Sequence, residues 1–168
     1  MKTLMKFAGA AAALVLVSAC ATSSGPDVDA SSGVDASAGA GPTGPIPGSQ
    51  ADLEQSAGHQ VFFAYDQYTL TPQAQAVLAR QAAWLQEYPE TRIKLAGNCD
   101  ERGTREYNLA LGARRAEAAR AYLVSLGVDG ARIQSVSYGK ERPGCTASNE
   151  RCWAQNRNAT TTIESVGS

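Results

Sequence analysis

Residues 92–127 read RIKLAGNCDERGTREYNLALGARRAEAARAYLVSLG, and this stretch decides the fold. Ile93 and Leu95 alternate with Arg92 and Lys94, the period-two pattern of a half-buried strand, and Gly97 stops it. From Arg105 or Asn108 to Leu126 the period becomes helical. Leu109, Ala116, Ala119, Leu123 and Leu126 then share one face, and Gly127 stands just past the end. Upstream, Val61, Phe62, Phe63, Ala64 and Tyr65 form a β-branched and aromatic run of strand length, followed by Asp66. Thr71-Pro72 then opens a helix in which Ala74, Val77, Leu78, Ala82 and Leu85 recur at helical spacing until Pro89. Downstream, a strand is predicted near Ile133 to Tyr138, then a long polar loop to Asn156, then a closing strand at Thr160, Thr161, Thr162 and Ile163. The order β-α-β-α-β-β predicts an α+β domain with two helices packed on one face of a mixed four-stranded sheet.

The whole chain has 168 residues, 43% apolar and 18% charged, which suits one ordinary domain plus extras. Its 15 basic and 16 acidic residues exclude the strongly basic footprint of a nucleic-acid binder. Lys2 and Lys6 precede an apolar run over residues 7–17, and Ser18 and Ala19 lead into Cys20, the order of a secretory signal. Eleven residues of helix at ~1.5 Å each cover about half of a ~30 Å hydrocarbon core, too little for a permanent membrane span. Val17-Ser18-Ala19-Cys20 resembles the lipobox of bacterial lipoproteins, in which the cysteine is acylated and becomes the new N-terminus. By the same resemblance, Ala21 in place of Asp implies delivery to the outer membrane, on its periplasmic face. Residues 1–19 are therefore expected to be a signal peptide, 20–50 a lipidated tether and 51–168 the folded domain. From Ala21 to Gln50, 23 of 30 residues are Gly, Ala, Ser, Thr or Pro, a composition that cannot offset its own ordering entropy. Beyond it the charges balance at 13 against 13, so any charged ligand is recognised by local placement rather than by a global field.

With Cys20 lipidated, three cysteines remain and three pairings are possible. In an oxidising compartment the local pair, Cys145 with Cys152, is favoured, which leaves Cys99 as a small buried filler. One histidine and no closely spaced cysteine pair give no metal site, and nothing in the sequence calls for a cofactor.

Chemistry concentrates in the turn after Gly97. Asp100 stands at the end of a strand and Arg115 fifteen positions later in the early turns of a helix, so the two can converge around a helix N-terminus. On physical grounds alone, Asp100 as a turn cap and Arg115 as a solvated surface residue is the stronger reading. The stretch Gly97 to Gly103, with Tyr107-Asn108-Leu109, Arg114-Arg115-Ala116, Phe63-Ala64-Tyr65-Asp66 and Tyr138-Gly139-Lys140, resembles the peptidoglycan-associated lipoproteins (Pal) and their OmpA-like domain. That resemblance implies non-covalent binding to the peptide stem of peptidoglycan through its diaminopimelate residue. Asp100 would accept from the ammonium and Arg115 would hold a carboxylate. Tyr65 and Asp66 would line the same pocket, with Arg102, Leu111 and the backbone near Thr104 as further contacts. It also implies the Tol proteins TolB and TolA as partners, in envelope integrity and constriction at division. Two departures stand out: Asn98-Cys99 in place of the usual His and Thr or Ala, and Arg157-Asn158 in place of paired arginines, which questions a second cation there.

A cell-wall hydrolase is the main rival reading. A glycosidase needs two carboxylates about 5 to 9.5 Å apart across a sugar, and Asp100 and Glu101 are adjacent in a turn. A serine hydrolase needs a base, and the single histidine, His59, sits at the start of the first strand. The reading is therefore a binding module and not an enzyme.

Overall fold

The computed structural model describes residues 44–165. The signal peptide, Cys20 and most of the expected tether lie outside the described residues. The elements run α1 (Gln50–Ser56), β1 (Gln60–Phe62), α2 (Pro72–Glu87), β2 (Arg92–Asn98), α3 (Arg105–Ser125), β3 (Ile133–Gly139), α4 (Glu150–Asn156) and β4 (Asn158–Ser165), with one 3-10 turn before β3. The four strands form one sheet in the order β1-β4-β2-β3. The β2–β3 pair is parallel, with Ile93 opposite Ile133, while β4 runs antiparallel to both β1 and β2. This is the mixed sheet the sequence predicts. The right-handed crossover rule makes α3 the connection that returns the chain to a parallel neighbour.

The apolar face of the sheet meets α2 and α3. Ile93 and Leu95 from β2, Leu78 and Leu85 from α2, and Ala119 and Leu123 from α3 are all buried in one cluster. Both long helices start on a threonine whose hydroxyl accepts a free amide: Thr71 from Ala74 and Thr104 from Tyr107. Leu109, assigned to the buried face of α3 by its spacing, is 48% exposed. The face toward the sheet instead carries Asn108, Leu111, Gly112, Arg115 and Ala116, with a polar and a charged residue where an apolar stripe would be read.

Three further differences bear on the site. The first strand is three residues long, not five. It pairs with β4 only as far as Asn158, and Phe63 adds one more bond to the Arg157 carbonyl before the chain turns away through Asp66, at φ 57°. The polar loop before the last strand contains a helix, α4, capped by the Asn149 side chain. It is closed by the Cys145–Cys152 disulfide, and Cys99 is free and buried, as expected. The third difference is α1, which begins at Gln50, within the stretch expected to be tether. Ser49 caps it, and the Asp52 carboxylate accepts from Gly48 N and from the Trp84 indole, docking α1 on α2.

Candidate functional site

Where β2 ends, the chain turns sharply through residues 99–104 and enters α3. The turn is held from both sides. Asn108 of α3 donates to the carbonyls of Arg102 and Thr104 at 2.7 and 3.1 Å, and Lys140, just past β3, donates to those of Glu101 and Gly103 at 3.1 and 2.6 Å. With its backbone so fixed, the turn aims Asp100 inward, where it is only 4% exposed. One carboxylate oxygen accepts the Arg102 amide at 3.1 Å and its Nε at 3.2 Å. The other accepts an Arg102 terminal nitrogen at 2.6 Å and Arg157 Nη1 at 3.3 Å. Burial pushes the Asp100 carboxyl upward, but these Arg102 bonds, joined by Arg157, outweigh it, so the group sits below its ordinary range.

Arg115 comes from the third turn of α3 and is fully buried. Its guanidinium donates to three backbone carbonyls: Gln67 at 2.8 Å, Asn98 at 2.8 Å and Ala64 at 3.2 Å. Burial lowers its pKa from the ordinary arginine value. Among the described residues, Arg115 takes part in no ion pair. Its side chain holds the β1–α2 connection against the end of β2, so it is a structural tie as well as a charge.

Asp100 and Arg115 border one hollow of about 50 Å³, with Cys99, Asn108 and Leu111 along its wall. Tyr65, Asp66 and Tyr107 stand at the mouth, and the Tyr107 hydroxyl bonds the Asp66 carboxylate. Of the residues singled out in the sequence, Asp100, Arg115, Tyr65, Asp66, Arg102 and Leu111 are brought together. Thr104 does not line the hollow and serves instead as the cap of α3. His59 is half-buried just before β1, 3.8 Å from Glu54, and does not border the hollow. The Cys99 thiol is pushed up by burial, consistent with a filler rather than a nucleophile.

Five participants had no site role assigned from the sequence. Arg157, whose role the missing second arginine put in question, is buried and anchors Asp100, the Phe63 carbonyl at 3.2 Å and Glu150 at 2.6 Å. Asn158, in the other position, bonds Asn98 at 2.8 Å. Tyr107 and Asn108 stand in a phrase that carries the Pal resemblance but had no role assigned. Trp153 of α4 had no signal at all beyond being a lone tryptophan in a polar stretch. Its ring lies 4.2 Å from the Arg102 guanidinium, on which Tyr65 also stacks at 4.2 Å.

The OmpA family pattern matches residues 62–158, from the end of β1 to the first residue of β4. A peptidoglycan-associated lipoprotein of Mesorhizobium japonicum is 46% identical over 156 residues, 93% of this chain and 90% of that protein. The chain belongs to the OmpA family, among the peptidoglycan-associated lipoproteins. A second such lipoprotein, from Rhizobium meliloti, is 51% identical over 77% of this chain and 74% of its own length. The crystal structure of the peptidoglycan-associated lipoprotein from Burkholderia pseudomallei is similar at a TM-score of 0.62 and 46% identity, covering 63% of this chain and 90% of that one. The OmpA family segment contains every residue that borders the hollow, and also α4 with its disulfide.

Proposed function

We propose that this chain is an outer-membrane lipoprotein, acylated at Cys20, whose OmpA-like domain binds the peptide stem of peptidoglycan non-covalently and so links the outer membrane to the wall. The observation that carries the reading is Arg115. A buried charge is normally paired with an opposite one, yet this guanidinium is satisfied only by neutral carbonyls while it borders a hollow shared with an ionised carboxylate. Such a pair suits a zwitterionic ligand. Diaminopimelate offers an ammonium for Asp100 and a carboxylate for Arg115, with Tyr65, Asp66 and Leu111 shaping the approach and Arg102 beside Asp100.

The site fits binding better than catalysis. Asp100 is held ionised by two arginines and therefore offers no proton, and the Cys99 thiol is buried and its pKa raised. A role within a Tol–Pal system, with TolB and TolA as protein partners in constriction, belongs to the same proposal. Tyr65, Tyr68, Tyr107 and Leu109 are each close to half exposed or more, large side chains of the kind a protein partner can use.

The test is co-sedimentation with purified sacculi. Because Arg115 also ties the backbone, its removal would confound folding with binding, so Asp100→Asn is the cleaner variant. Asp100→Asn, verified as folded by circular dichroism, is expected to lose sedimentation with the wall. Free stem peptide containing diaminopimelate is expected to displace the wild type. Undiminished sedimentation of Asp100→Asn would reject the site.

A further inference from the structure

The Asp100 carboxylate has no acceptor position left. Its two oxygens take four donors, three from Arg102 and one from Arg157, which is the full complement of a carboxylate. The hollow beside it is small, at about 50 Å³. If the proposed function holds, something already in the site has to leave when a ligand ammonium arrives.

Only one of the two arginine side chains is free to do so. Arg157 is 8% exposed in its side chain and is fixed at three points. The Arg102 side chain is 31% exposed and has a second anion within reach, Glu150, whose carboxylate lies 3.9 Å from the same terminal nitrogen that bonds Asp100. Besides its bonds to Asp100, the Arg102 guanidinium is held there by two aromatic rings, Tyr65 and Trp153, each with its centroid 4.2 Å away. Trp153 is in turn fixed by its indole N–H, which donates to Glu101 at 2.9 Å, and by its place on α4. That helix has only seven residues, too few to persist unaided, and the Cys145–Cys152 disulfide closes its N-terminal side.

We infer that Arg102 is a built-in occupant of the ammonium position, and that Trp153, carried on the disulfide-stapled α4, sets how firmly that occupant is held. This rests on the reading of Asp100 as the ligand's ammonium acceptor. Binding is then an exchange in which the ligand ammonium takes the carboxylate while the guanidinium moves toward Glu150. The ring contacts stabilise the closed arrangement alone, so weakening them raises the open fraction and with it the apparent affinity.

The experiment measures the binding of a synthetic L-Ala-D-Glu-diaminopimelate tripeptide to the soluble domain by calorimetry. Trp153→Ala is expected to bind roughly 3- to 10-fold more tightly than the wild type, the size of one partly exposed guanidinium–aromatic contact. Trp153→Phe, which keeps the aromatic face and loses only the N–H, is expected to stay near the wild type. The Cys145→Ser/Cys152→Ser double variant is expected to shift in the same direction as Trp153→Ala. In the wild type, saturating tripeptide is expected to change the Trp153 fluorescence as the guanidinium leaves its face, with buried Trp84 as a constant background, and this needs no variant to fold. Equal or weaker binding by Trp153→Ala and the double variant, or unchanged emission at saturation, overturns the inference while loss of binding by Asp100→Asn leaves the site reading standing. Full binding by Asp100→Asn overturns both.

Discussion

Gly97 at the end of β2 and Gly112 on α3 bring strand and helix into backbone contact beneath the site. A Cβ on Gly97 would lie 1.8 Å from the Gly112 carbonyl oxygen, and one on Gly112 would lie 2.4 Å from the Ser137 hydroxyl and 2.8 Å from the Gly97 oxygen. The first clash is with backbone that cannot rotate away, and the second is partly with a hydroxyl that can. Gly97→Ala is therefore expected to cost about 3 kcal/mol, the upper end of core overpacking, and Gly112→Ala less, ranked by urea denaturation midpoints. Asp100 supports a second prediction. Burial raises its pKa, but the bonds from Arg102 and Arg157 depress it further, so the folded value lies below the unfolded one. Its contribution to stability is then complete above the unfolded value of about 4 and is lost as pH falls through the folded one. Denaturation midpoints are expected to decline below about pH 4, with a steeper slope in the wild type than in Asp100→Asn. A slope equal in the two proteins would remove Asp100 from the account. Residue by residue, the site was legible to the extent that side chains sit in the β2–α3 phrase. The dual role of Arg115 was not, because three bonds to carbonyls of distant segments leave no mark on local pattern.

At the scale of elements, the long helices and the strands followed from periodicity, and the two short helices did not. Both α1 and α4 have seven residues, below the length at which a helix holds itself, and each depends on bonds outside its own helical backbone. For α4 these are the disulfide, the Asn156 side chain bonding Gly144 N and Cys145 N and O, and the Glu150–Arg157 ion pair. For α1 they come from the sheet. The strand β1 stops after three pairs, and beyond it the Gln50 side-chain amide takes the place of a strand. It donates to the Thr161 carbonyl at 3.2 Å and accepts from Ile163 N at 2.9 Å. A polar residue in a Gly- and Pro-rich context reads as tether, and nothing local announces that it will cover a sheet edge. Gln50→Ala is expected to cost about 1–2 kcal/mol for the two bonds. Its more specific signature is faster amide exchange at Ile163, by at least tenfold, with amides of the β2–β3 pair unchanged. Protection at Ile163 equal to the wild type would show that water serves that edge equally well.

For the molecule as a whole, the proposed anchor and the proposed grip are separated by the residues that follow Cys20. Thirty residues reach at most about 100 Å at ~3.3 to 3.6 Å each, which bounds how far the domain can stand from the membrane. On the proposed reading the tethered grip works at high local concentration, so many weak contacts at Asp100 and Arg115 would hold two layers together where any single one would release. The lipid contribution scales with buried methylenes at about 0.8 kcal/mol each, and stable anchoring takes more than one acyl chain. Anchor and grip are thus chemically independent, and this makes them separable by two substitutions. Cys20→Ser is expected to move the protein from the membrane fraction to the soluble periplasmic fraction while its purified form still sediments with sacculi. Asp100→Asn is expected to do the reverse, staying in the membrane fraction and losing the wall. Only the unmodified chain would then cross-link both layers, and envelope leakage, read by release of a periplasmic marker enzyme, is expected to rise in either variant to a similar degree. Leakage in one variant alone would mean that the other half of the link is redundant in the cell.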